Sequence, residues 1–163
     1  AAFAPEAGLD RCFPQGADAF VETYLAEWST PVRLIDGVPP LLATLRDGGR
    51  RLALVSNTHS AEMVRGHLAA MGIAEAFDAV VTSVEVGYRK PRPEIFTAAL
   101  AALDAEASDA VFVGDTYDPD FVGPTRMGMD AYLIVGDGRD VPPEVPASRR
   151  LGSVLDLTTR LDA

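Results

Sequence analysis

The sequence predicts an α/β fold, a parallel sheet with helices on both faces. Three observations lead there. From residue 50 onward, short apolar runs alternate with segments of helical spacing. The apolar runs carry few interior polar residues, as strands buried on both faces do. The segments between them are long enough for helical crossovers, which parallel strands require.

The elements follow in order. "RLALVSN" (51–57) reads as a buried strand. "SAEMVRGHLAAMG" (60–72) reads as a helix, with Ser60 as its cap and Gly72 as its stop. A second strand falls within "AFDAVVTSVEVG" (76–87), and "RPEIFTAALAALDA" (92–105) is a helix with Pro93 in its first turn. "DAVFVGDT" (109–116) is the third strand. "DPDFVGPTRMGM" (118–129) is a short helix interrupted near Pro124, and "AYLIVGDG" (131–138) is the fourth strand. A Pro-rich loop (137–150) leads to "LGSVLDLTTRL" (151–161), a strand tip and a short helix. Upstream, "GVPPLLATLRDGG" (37–49) is a helix with prolines at its start and glycines at its end. "GADAFVETYLAEWS" (16–29) is helical in spacing, with Tyr24 and Trp28 on its apolar side. No internal repeat or low-complexity tract interrupts the chain.

Composition narrows the function. The 163 residues suit one ordinary domain, and 48% of them are hydrophobic, enough for a packed core. The net charge of -10 argues against nucleic acid, whose phosphates need Lys and Arg to displace counterions. It leaves room for a small phosphorylated substrate whose charge is met locally. No run approaches the roughly 20 apolar residues of a membrane span, and the first residues lack a signal peptide's basic and apolar regions. Cys12 is the single cysteine, so neither an internal disulfide nor a Cys-based metal cluster is expected, and a cytoplasmic setting is. His59 and His67 lack a third ligand and read as ordinary helix residues.

In a parallel α/β sheet, ligands sit beyond the carboxyl ends of the strands. The first of these strands ends in Ser56 and Asn57. Lys90 follows the second. Asp115 ends the third, with Asp118 and Asp120 close behind. A phosphate would accept from the Ser56 hydroxyl, Lys90 would neutralise it, and Asp115 and Asp120 would hold a hard divalent cation, Mg²⁺, through oxygen. Such a cation also relieves the repulsion among clustered acids.

These residues carry a resemblance. "LVSNT" (54–58), "GYRKPRPEIF" (87–96) and "VFVGDTYDPDFVG" (111–123) resemble the second, third and fourth motifs of the haloacid dehalogenase-like (HAD) hydrolases, in that family's order. The likeness runs over about residues 31–136 and is nearest to the branch with a helical cap between motifs one and two. It implies a Rossmann-like core over 31–163 and a remnant of a helical cap over 1–30. By position it implies phosphoryl binding at Ser56, orientation of backbone or substrate by Asn57, and charge stabilisation by Lys90. Asp115 would be a direct Mg²⁺ ligand, Asp120 would ligate the metal or hold its waters, and Asp118 would be a solvated loop acid. The activity implied is Mg²⁺-dependent hydrolysis of a phosphomonoester, a small phosphorylated metabolite, through an aspartyl-phosphate. Two alternatives share the framework: a 2-haloacid dehalogenase, and a catalytically inactive binding protein.

One motif is missing. No Asp-x-Asp follows an apolar run anywhere upstream of Ser56. "VRLIDGV" (32–38) offers Asp36, and "SVLDLTT" (153–159) offers Asp156, but neither has a second acid. In the family that motif's strand lies at the centre of the sheet. Its absence predicts two unpaired strand edges, a chain without its own nucleophile and self-association through the open edges, and it leaves three explanations: a fragment of a longer protein, which is favoured, a strand supplied by another chain, or a rearranged sheet.

Overall fold

The computed structural model describes residues 32–136 and 141–161. The chain divides between Leu34 and Ile35 into two compact units, and every helix and strand described belongs to the second. The cap remnant over 1–30, with Cys12, Tyr24 and Trp28, lies outside the described residues.

The order of elements is α1 (Val38–Asp47), β1 (Ala53–Ser56), α2 (Ala61–Ala70), β2 (Ala79–Thr82), α3 (Ser83–Val86), α4 (Pro93–Leu103) and β3 (Val111–Gly114). A π-helical turn (Tyr117–Val122), α5 (Gly123–Arg126), β4 (Asp130–Ile134), β5 (Arg150–Leu151) and α6 (Leu157–Leu161) complete it. Local signals place several ends. The Ser60 hydroxyl accepts from Met63 N and caps α2. Prolines stand in the first turns of α1 and α4, where a missing N–H costs nothing.

Two segments differ from their sequence reading. The second strand stops at Thr82, and α3 begins at once. Thr82 and Glu85 carry a Thr-x-x-Glu helix-start spacing, and the Thr82 hydroxyl donates to Glu85 Oε2 at 2.6 Å. The stretch after β3 is not a short helix broken at Pro124 but a π-helical turn running into α5, with Pro124 in the first turn of α5.

Every strand pairing is parallel. β1 pairs with β2, Ser56 opposite Thr82. β3 pairs with β4, Gly114 opposite Leu133, and β4 pairs with β5. Helices cover both faces, as the alternation of side chains shows. Tyr132 packs with Leu41 and Leu45 of α1 and Leu157 of α6, while its neighbours Ala131 and Leu133 pack with Phe121 and Val145. On β3, Phe112 joins the cluster around Ile95 and Phe96 of α4, and Val113 joins that around α1.

Among the described residues, five strands form two sheets, one of two strands and one of three, with no ladder from β1 to β3. Among the described residues, β1 and β3 thus each have one edge without a ladder partner. Between them lies a cavity of about 770 Å³, walled by Leu54 and Val55 of β1, Phe112 and Val113 of β3, Leu41 of α1 and Phe96 of α4. Among the described residues no helix is long and apolar enough to cross a membrane.

Candidate active site at the strand ends

The carboxyl end of β1 leads into a loop fixed at consecutive residues. Asn57 Nδ2 donates to the Lys90 carbonyl at 3.0 Å, and Lys90 N donates to Asn57 Oδ1 at 2.8 Å. Thr58, buried, is bonded at both main-chain groups by one hydroxyl: Thr58 N donates to Ser83 Oγ, and that hydroxyl donates to the Thr58 carbonyl, each at 3.0 Å. Ser60 then caps α2. Ser56, half-buried, closes β1 at the head of this loop.

Lys90 joins the two sheets. Its Nζ donates to the Val55 carbonyl on β1 at 2.9 Å and pairs with Asp120 Oδ1 at 2.7 Å. It also lies 5.3 Å from the centre of the Phe112 ring on β3, which Phe96 holds edge-on at 5.4 Å. Both members of the ion pair are shielded, with side chains 11% and 7% exposed. At that depth the pair depends on every hydrogen bond being made. Asp120 Oδ2 accepts from Thr116 N at 3.0 Å, so both of its oxygens are engaged.

Gly114 makes this possible. A Cβ there would collide with Asp120 Cβ and Cγ, so the last residue of β3 has to be glycine for the carboxylate to fold back over the strand end. Gly123 plays a similar part, because a Cβ there would come within 2.9 Å of the Phe96 ring.

Asp115 is different. It follows β3 directly and is exposed, with the Thr116 hydroxyl donating to its Oδ1 at 3.3 Å. Asp118 is exposed too. The fit to a divalent cation turns on what these oxygens already do. Each Asp120 oxygen already carries a partner, Lys90 on one and Thr116 N on the other, so a direct metal bond would have to share an oxygen with one of them. Asp115 presents a carboxylate at the strand end, the hard oxygen donor that Mg²⁺ takes alongside water and phosphoryl oxygens. Among the described residues no three His, Cys, Asp or Glu side chains gather as a metal-binding group. The donor set fits Mg²⁺ through one direct carboxylate.

The sequence reading missed Val55, Thr58, Phe112 and Thr116 as supports of the site. It also passed over a signal in plain sight. Lys90 is the chain's single lysine, against 13 arginines in a Lys-plus-Arg total of 14, and Asn57 is its single asparagine.

Comparison with known proteins agrees with this geometry. The family description "haloacid dehalogenase-like hydrolase" matches residues 3–128. Human haloacid dehalogenase-like hydrolase domain-containing protein 3 is 35% identical over 153 residues, covering 91% of this chain and 60% of that protein. Ribulose-1,5-bisphosphate 5-phosphatase of Halopiger xanaduensis is 34% identical over 118 residues, 72% of this chain and 47% of that enzyme. Among solved structures, a HAD phosphatase from Thermococcus onnurineus superposes with a TM-score of 0.74 at 29% identity, covering 86% of this chain and 64% of that one. A 2-haloacid dehalogenase from Pseudomonas syringae superposes with a TM-score of 0.76 at 25% identity, covering 90% of this chain and 60% of that one. The chain thus spans about 60% of the length of the human relative.

Proposed function

Because the chain belongs to the haloacid dehalogenase-like hydrolases, we propose that it is the core of a Mg²⁺-dependent phosphatase acting on a small phosphomonoester. The observation that carries this reading is the shielded Lys90 ammonium, held between the Val55 carbonyl of β1 and the Asp120 carboxylate that follows β3. The phosphatases among the relatives support the same class.

Each residue then has a task. The Ser56 hydroxyl donates to a phosphoryl oxygen. Lys90 offsets the phosphoryl charge from a fixed position, which is worth more in a shielded site than in water. Asp115 would hold Mg²⁺ directly, and Asp120, kept on Lys90, would act on it through water. The cation supplies Lewis-acid polarisation of the phosphoryl group. The attacking carboxylate belongs to an Asp-x-Asp motif that closes an apolar strand, and no such motif lies upstream of Ser56 in this sequence. An oxygen of that carboxylate bonds to phosphorus, the ester P–O bond breaks, and the alcohol leaves with a proton given by the second Asp of that motif as general acid. Water then releases phosphate from the aspartyl-phosphate.

The dehalogenase among the structural neighbours defines the contrasting chemistry. Phosphate release from an aryl phosphate and halide release from 2-chloropropionate are to be compared, with and without EDTA. The protein assayed is the longest native polypeptide containing this sequence. EDTA-sensitive phosphate release is expected. EDTA-insensitive halide release would replace the phosphatase by a dehalogenase, and turnover of neither would leave a binding protein.

A further inference from the structure

The chain's single lysine and single asparagine are bonded to each other, twice. We propose that Asn57 is a positioning residue, whose carboxamide sets where the Lys90 ammonium stands. The proposal deepens the phosphatase reading, in which that ammonium meets the phosphoryl charge.

The geometry is specific to a carboxamide at this length. Oδ1 accepts from the Lys90 N–H while Nδ2 donates to the Lys90 carbonyl, so one side chain takes both main-chain groups of a residue 33 positions away. Asp could accept but not donate. Ser is too short to span both groups, and Gln would carry the amide past them.

Lys90 stands in a turn that Arg92 N closes by donating to the Arg89 carbonyl at 2.9 Å, and Asn57 takes the N–H and carbonyl of Lys90 itself. It lies between α3 and α4, in a stretch without a strand ladder. Its neighbours Tyr88 and Arg89 are exposed, and Lys90 is the residue turned inward. A lysine stem has four flexible carbons and about 2 kcal/mol of rotamer entropy, so a loose backbone would spread the ammonium over several ångströms. The end of β1 prevents this from two points. Asn57, just past β1, fixes the Lys90 main chain, and the Val55 carbonyl on β1, two residues earlier, takes Nζ at 2.9 Å. The ammonium then reaches Asp120 at 2.7 Å. Displacing a charge-stabilising group by a single ångström is enough to cost a reaction a large factor in rate.

The composition of the chain makes the test direct. Lysine labelled with ¹³C and ¹⁵N gives one spin system, and the carboxamide region holds two NH₂ pairs, those of Asn57 and Gln15. In the full chain, scalar couplings across the hydrogen bonds should connect Lys90 N to Asn57 Cγ and Asn57 Nδ2 to the Lys90 carbonyl carbon. The Lys90 ammonium should give a resolved, slowly exchanging Nζ signal. In Asn57→Ala that signal is expected to be lost and Cε to move to the position of a free lysine. Asn57→Asp should give a smaller shift in the same direction. Ser60→Ala removes the cap of α2 in the same loop without touching Lys90, so it should leave the lysine signals in place.

Lysine signals unmoved in folded Asn57→Ala, or moved equally by Ser60→Ala, would overturn the proposal. If Asn57→Ala does not fold, the couplings in the unmodified chain and the Asn57→Asp shift decide: missing couplings or an unmoved lysine refute it. None of these readouts needs turnover. An intact clamp in a protein that hydrolyses no phosphate ester would sink the phosphatase reading alone.

Discussion

Asp115 and Asp120 are five residues apart on the same turn, yet they live in opposite settings. Asp120 is 5% exposed, with one oxygen on the Lys90 ammonium and the other on Thr116 N. Asp115 is exposed at the end of β3. Two like residues in one acidic motif therefore divide the work. The buried one holds the Lys90 ammonium, and the outer one lies exposed with the Thr116 hydroxyl on its Oδ1. Sequence treats them as a pair, but the fold makes them unlike.

Removing the buried carboxylate is the severest way to break this contrast. Asp120→Ala leaves the Lys90 ammonium shielded without its counter-charge, which should cost about 3–5 kcal/mol in urea unfolding. A loss no larger than that of an exposed substitution would mean that Lys90 simply swings to solvent. Crowding the same carboxylate comes next. Gly114→Ala forces a methyl into Asp120 and should destabilise by about 1–3 kcal/mol, read from the same unfolding curves.

A third carboxylate sharpens the comparison at the opposite ends of the strands. Asp78 accepts from Leu52 N at 2.7 Å and from Arg46 at 3.1 Å. The Leu52 N–H, followed by Arg46 and against some desolvation, holds its carboxyl below the ordinary value of 3.8. A depressed carboxyl stabilises the fold above its unfolded pKa and stops doing so as pH falls through its folded one. Thermal stability of the parent should therefore decline on acidification below about pH 4, and Asp78→Asn should flatten that decline. Equal acid sensitivity in both proteins would count against the assignment. The smallest effect is expected at the outer acid: Asp115→Asn should change stability by no more than about 0.5 kcal/mol.

The range of each interaction decided whether the sequence revealed it or hid it. Ser60 and the prolines of α1 and α4 act within one helical turn, so their roles were legible in a few letters. The early end of β2 was written in Thr82 and Glu85 but masked by the apolar run before it. The strand ends were found by rule, with Ser56, Asn57, Lys90, Asp115 and Asp120 all named. Their partners were not, because Asn57 with Lys90 and Lys90 with Asp120 are contacts across 33 and 30 positions that only the folded chain creates. The need for glycine at 114 becomes visible only with the Asp120 carboxylate lying over it.

The central claim is that the outer carboxylate serves the chemistry while the buried one serves the site. Its most direct test is Mg²⁺-dependent hydrolysis of an aryl phosphate by the longest native polypeptide containing this sequence, compared with its Asp115→Asn variant. The account predicts that the variant loses turnover while its unfolding midpoint stays with the parent's. Undiminished turnover in a folded Asp115→Asn protein would contradict it.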